Sequence, residues 1–155
     1  MHEQDFRRVT EVQISYHNKV KAADRPSIRS SQTAEAILRG YWSNDMQLLE
    51  EFNILLLDRS NRVLGFSHVS RGGTSGTVVD AKILFATALR ARASQLILAH
   101  NHPSGNLRPS DADKVLTRKL CKAGQVLELP ILDHLILSPE GGFFSFADNG
   151  LIEDF

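Results

Sequence analysis

"SQLILAHNHPSGNLRPSDADKVLTRKLCKAG", Ser94 to Gly124, reads as a buried strand, a sharp turn and a capped helix in immediate succession. "SQLILAH" is apolar at both parities, the composition of a strand covered on both faces. Pro103 and Gly105 turn the chain. Ser110, after Pro109, is placed to cap a helix over "DADKVLTRKLCKAG", with Val115, Leu116 and Leu120 inward and Gly124 just past its end. A strand that feeds directly into a helix is the unit of a layered α/β domain.

The flanks extend that pattern in both directions. Upstream, "VVDAKILFATALRARA" (Val78–Ala93) is helix-forming and apolar nearly all round, which predicts a buried or central helix. "EEFNILLLD" (Glu50–Asp58) predicts a buried strand, "RSNR" a turn and "VLGFSHVS" a strand paired back on it. "RGGTSGT" is a flexible glycine-rich crossing without the Gly-Lys-Ser/Thr ending of a phosphate loop. "SSQTAEAILRGYW" predicts a helix capped by Ser30 or Ser31. Ala34, Ile37, Leu38 and Tyr41 mark its apolar face, Gly40 lies near its end and Trp42 anchors that end. "VQISY" (Val12–Tyr16) alternates as a strand does and "HNKVKAADRPSI" is a loop, so residues 1–29 form an N-terminal strand and loop extension. Downstream, "ILDHLILS" and "FFSF" predict strands joined by the turn "PEGG", the latter an exposed edge able to pair. The order β-α-β-β-α-β-α-β-β implies an α/β sandwich, a mixed β-sheet flanked by helices rather than a doubly wound one.

The 155 residues suit one domain, 1–155, and a chain of this length buries roughly 68–70% of its unfolded surface. With 42% apolar and 23% charged residues the composition is that of an ordinary globular protein. No apolar run reaches the ~18 residues of a membrane span. "MHEQDFRRVTEV" has no apolar signal core, so a cytoplasmic location is expected. Lysine plus arginine and aspartate plus glutamate are 18 each, which removes the global signature of a nucleic-acid-binding domain. "RRV", "RAR" and "RKLCK" are short and dispersed, and read as solvated faces. The one cysteine, Cys121, excludes an intrachain disulfide and a multi-cysteine zinc site; it reads as a small semi-buried hydrophobe. A transition metal here must be held by histidine and carboxylate.

His100 and His102 supply such donors. Residues i and i+2 of extended backbone share a face, so the two imidazoles can converge while Asn101 faces away. Asp113 lies one turn into the helix, within reach of the strand end. A His/His/Asp set with an open fourth position is the arrangement of a catalytic rather than a structural zinc site, with manganese or iron as alternatives. Ser-x-x-Asp is also a capping box, although Glu or Gln is usual at its last position. Two histidines at strand parity beside a carboxylate favour the metal site over a decorated loop. His134 in "LDHLIL" reads first as a core histidine, with the orientation of a ligand histidine as its other role. His68 reads as a surface strand position.

His100-x-His102, seven residues, Ser110, two residues and Asp113 match the JAMM (MPN-type) metalloprotease motif at every position. "HNHPSG…PS..D", with "LDHLIL" and "SFADNG" after it, resembles the RadC family in particular, from about Ser30 to Ile152. The resemblance implies a cytidine-deaminase-like MPN/JAB sandwich. It implies one zinc ion held by His100, His102 and Asp113, with Ser110 steadying the oxyanion; the family spacing passes over Asp111. It also implies an upstream glutamate as general base. Aligned on Leu57–Asp58, that residue is Glu50, with Glu51 the alternative; strand neighbours face opposite ways, so only one reaches the site. The activity implied is zinc-dependent hydrolysis of a peptide or isopeptide bond, with a peptide or protein as partner. Two other readings stand beside it: a DNA-repair or mobile-element role acting on or with DNA, and a metal-binding interaction module without peptidase activity. Members of the family typically carry a helix-hairpin-helix region ahead of this domain; about thirty residues precede the matched segment here, too few for one.

Overall fold

The computed structural model describes residues 6–72 and 77–152. Its elements are α1 (Ser31–Tyr41), β1 (Glu51–Leu57), β2 (Val63–Arg71), α2 (Ala81–Arg90), β3 (Gln95–Asn101), α3 (Asp111–Val126), β4 (Ile131–Leu137) and β5 (Phe143–Ser145), with a short 3-10 turn at Ala22–Asp24. The strands form one mixed sheet in the order β2-β1-β3-β4-β5. All neighbours are antiparallel except β3 and β4, which run parallel. The β3–α3–β4 segment makes that parallel crossover.

The apolar runs are explained by the layers. Phe52, Ile54 and Leu56 of β1 and Leu96 and Leu98 of β3 pack on Leu84, Phe85 and Ala88 of α2 and on Leu120 and Cys121 of α3. The alternate residues Leu55, Leu57, Ile97, Ala99, Leu135 and Leu137 pack on Ala34, Leu38 and Trp42 at the other face. β1 is therefore buried along its whole length. The molecule is an α/β fold consistent with the MPN/JAB sandwich: helix α1 on one side of the sheet, α2 and α3 on the other.

Several local expectations are corrected. Val12–Tyr16 is not a strand; Val12 and Ile14 are 83% and 79% exposed. An alternating pattern buries its apolar parity only where that face packs against another layer. The start of β2's outer edge is already met by residues 26–28, through a Ser27–Arg62 bridge and the bond from Val63 N–H to Pro26 O. Among the described residues the sheet has five strands, not six. Helix α2 is shorter than Val78–Ala93 and is amphipathic: Asp80 caps it, and Ile83 and Leu89 are exposed. Tyr41 is exposed and the neighbouring Trp42 takes the buried place at the end of α1, capped by Ser30. In α3, Val115 faces solvent while Thr117, Leu120, Cys121 and Gly124 face inward.

Gly124 is inside α3, not beyond its end. The left-handed residue past the helix is Glu128, at φ 55°. Glycine is required at 124 by a close approach: a Cβ there would sit 2.4 Å from the Leu129 carbonyl oxygen. "FFSF" is not an exposed edge throughout, because Ser145 and Phe146 are buried. Of the glycine-rich crossing "RGGTSGT", residues 73–76 lie outside the described residues. No described helix is long and apolar enough to cross a membrane.

Candidate metal centre

The C-terminal end of β3 carries the first histidine. His100 is paired with Phe52 of β1 and Ile136 of β4, and its ring stacks on Phe52 with centroids 6.1 Å apart. His102 lies just past the strand, but its N–H still bonds to Leu137 O at 3.0 Å, so the extended geometry continues. The two imidazoles share a face, with Nε2 to Nε2 at 3.0 Å. The turn then closes with Gly105 at φ 81°, a conformation that suits glycine, and with Gly105 N–H bonded to His102 O. The turn delivers the Asn106 carbonyl to Nδ1 of His102. A carbonyl only accepts, so Nδ1 carries the proton and Nε2 of a neutral His102 is bare.

Helix α3 begins at the same place. Ser110 Oγ accepts from Asp113 N–H at 3.0 Å, and Asp113 Oδ2 accepts from Ser110 N–H at 2.9 Å. This is a complete capping box with aspartate at the position where glutamate is usual. The same bond aims the carboxylate: Oδ1 is 3.4 Å from His100 Nε2 and Oδ2 is 3.3 Å from His102 Nε2. Cap and candidate ligand are one pair of residues.

Glu50, immediately before β1, brings a second carboxylate, with Oε1 3.8 Å from His100 Nε2 and 3.9 Å from His102 Nε2. Glu51 points to the opposite face. There its Oε1 accepts from Arg71 Nη2 at 2.8 Å and from the Ser43 hydroxyl at 2.6 Å. The residue between the histidines, Asn101, does face away, yet it is fully buried and shapes the site. Its Nδ2 donates to Met46 O and Leu49 O, and its Oδ1 accepts from Glu51 N–H, each at 2.8 Å. The carboxamide thereby ties the segment carrying Glu50 to the histidine strand. Behind His100, His134 Nε2 lies 2.7 Å from His100 Nδ1, and Thr117 Oγ1 lies 2.6 Å from His134 Nδ1. Neither Asn101 nor Thr117 stands out as a site residue in the sequence. The one signal for Thr117 is its place four residues after Asp113, on the inward side of α3.

Charge and burial oppose each other in this cluster. Burial raises the Asp113 carboxyl, but its contacts with His100 and His102 in their protonated forms, with Ser110 N–H, outweigh it and hold Asp113 far below the usual carboxylate range. The Asp113 carboxylate raises His102 against the effect of burial. Among the described residues, Glu50, His100, His102 and Asp113 offer donor atoms that all lie within 4.8 Å of one another. Two imidazoles and two carboxylates converging at this range suit a divalent cation, and a nitrogen and oxygen set without thiolate fits zinc or a harder neighbour. Asp111 is exposed and outside the group, and His68 is on the exposed face of β2, its Nδ1 2.7 Å from Asn53 Oδ1.

The model of a family described as the RadC-like JAB domain matches residues 28–151. A UPF0758 protein of Flavobacterium johnsoniae is 48% identical over 102 residues, which cover 66% of this chain and 44% of that protein. A UPF0758 protein of Porphyromonas gingivalis is 41% identical over 128 residues, covering 83% of this chain and 56% of that one. A third, from Thermosynechococcus vestitus, is 50% identical over 91 residues, 59% of this chain and 36% of that protein. The chain spans about half the length of these relatives or less.

Proposed function

The chain belongs to the RadC-like JAB domain family, and from that premise we propose that it is a zinc-dependent hydrolase cutting a peptide or isopeptide bond. The observation that carries the reading is the convergence of His100, His102, Asp113 and Glu50 donor atoms within 4.8 Å. His100, His102 and Asp113 hold the metal in this reading, leaving a position open for water or substrate. Bound zinc would supply a water acidified to a pKa near ~7 and a positive centre for the scissile carbonyl.

The chain's own groups do the rest. Glu50 sits at the rim of the donor set, takes the proton of the attacking water and returns it to the leaving nitrogen. Ser110 Oγ already accepts from Asp113 N–H, so its hydroxyl proton is free to donate to the developing oxyanion, a contact worth ~3 kcal/mol when well aimed. The substrate is accordingly a peptide or protein carrying an accessible amide.

Elemental analysis of the purified protein is the first test, with stoichiometric zinc expected in the natural chain and its loss in His102→Ala. The second is a screen of peptide, isopeptide and nucleic-acid substrates with and without chelator. Amide hydrolysis that a chelator abolishes and zinc restores is expected, and Glu50→Gln should keep the metal while losing about 10²-fold or more in rate. Activity insensitive to chelator, or a natural chain that binds no metal, would overturn the mechanism.

A further inference from the structure

We propose that His134 and Thr117 set the tautomer of His100, holding its proton on Nδ1 and keeping Nε2 bare toward the metal position. The inference deepens the reading above and rests on His100 being a ligand through Nε2. One chain of contacts carries it, starting from a group whose role is fixed. The main-chain carbonyl of Asp113 only accepts, and Thr117 Oγ1 lies 2.7 Å from it, one turn further along α3. The single hydroxyl hydrogen of Thr117 is committed there.

Thr117 Oγ1 is also 2.6 Å from Nδ1 of His134. With its hydrogen spent, the oxygen accepts in this second contact, so Nδ1 of His134 carries the proton. His134 has no exposed surface; its ring stacks on Phe146 at 4.7 Å and meets the edge of Phe52 at 5.4 Å. Among the described residues no carboxylate touches the ring, and a buried imidazole without a counter-charge in contact is neutral, with one N–H. Its Nε2 is therefore an acceptor, and it lies 2.7 Å from Nδ1 of His100. His100 must donate there. The atom left without hydrogen is His100 Nε2, which faces Asp113 Oδ1 at 3.4 Å and His102 Nε2 at 3.0 Å.

The reverse order is the one competitor. In it Thr117 donates to His134, His134 donates to His100, and His100 turns an Nε2–H toward His102 Nε2 and Asp113 Oδ1, where a ligand needs a lone pair; the Asp113 carbonyl then loses its Thr117 partner. Helix α3 thus meets His100 from two directions, with Asp113 in front and Thr117 acting through His134 behind. His134 and Thr117 are positioning residues, since neither reaches the donor cluster.

The deciding measurement is the tautomer of His100 in metal-free natural protein at alkaline pH, read from long-range proton–nitrogen NMR correlations. The expected pattern is Nδ1 protonated and Nε2 bare; the Nε2-protonated form overturns the proposal whatever the variants do. Zinc affinity, by competition with a chromophoric chelator, is the second readout. Thr117→Val and His134→Phe should each weaken binding about 10- to 100-fold, and Thr117→Ser should restore it. Thr117→Val that binds zinc as tightly as the natural chain, with the His100 tautomer unchanged, overturns the proposal. A natural chain that binds no zinc defeats the metal reading instead, and the metal-free spectrum still decides the tautomer.

Discussion

Ser110 and Asp113 close a helix cap with the same atoms that border the donor cluster, so a substitution there has two separable effects. Ser110→Ala removes the acceptor of Asp113 N–H. It should lower stability by about 1 kcal/mol in urea unfolding and, if Ser110 serves the oxyanion, lower turnover by about 10²-fold. Ser110→Thr keeps cap and hydroxyl and should recover stability. A stability loss with unchanged turnover would leave Ser110 a cap alone. How far such residues can be read from sequence depends on where their partners lie. His100 and His102 were legible because strand parity is local. The choice between Glu50 and Glu51 needed the register that sets Phe52 against His100, which no local pattern encodes. Asn101 and Thr117 were illegible for the same reason: their partners Glu51 and His134 stand 50 and 17 positions away in the chain.

At the level of elements, β1, β3 and β4 were legible because burial on both faces leaves an unmistakable apolar run, and the partly buried β2 and β5 were legible from the turns that pair them back. Helix faces were less so. Val115 and Ile83 are apolar at exposed positions, and the pattern alone did not separate them from Leu120 and Leu84. "VQISY" had a strand's alternation but pairs with no strand among the described residues. The two helical glycines give a sharper test. A Cβ added at Gly40 in α1 would meet nothing within 4 Å, whereas one at Gly124 in α3 would meet the Leu129 carbonyl at 2.4 Å. Gly40→Ala should therefore stabilise by about 0.5–1 kcal/mol, and Gly124→Ala should destabilise by about 1–3 kcal/mol. Thermal and urea unfolding of both variants check the opposite signs; equal shifts would mean that the turn after α3 yields without cost.

For the molecule as a whole, Asp133 is a buried carboxylate that ties β4 to the chain after β5. Its Oδ1 accepts from His134 N–H at 2.7 Å and Ala147 N–H at 2.9 Å, and its Oδ2 accepts from the Ser145 hydroxyl at 2.6 Å. Burial raises its pKa, and those hydrogen bonds only partly oppose the rise. A folded-state value above the unfolded one makes this group's contribution greatest below pH 3.8, and it declines as pH climbs through the folded value. Asp133→Asn keeps the Oδ1 acceptor, so the variant should gain on the natural chain as pH rises from 3.8 toward neutrality. Urea midpoints across that range test the sign, and a difference independent of pH would contradict it. The two glutamates at the head of β1 carry a last consequence, for how chains of this kind are compared. β1 is bonded on both sides, so its phase is locked by two neighbours at once. A gap opened inside Glu50–Leu57 when two such sequences are aligned is then not a neutral edit. It transposes the Glu50 carboxylate of the donor cluster with the anchor of Arg71 and carries each to the wrong side of the sheet.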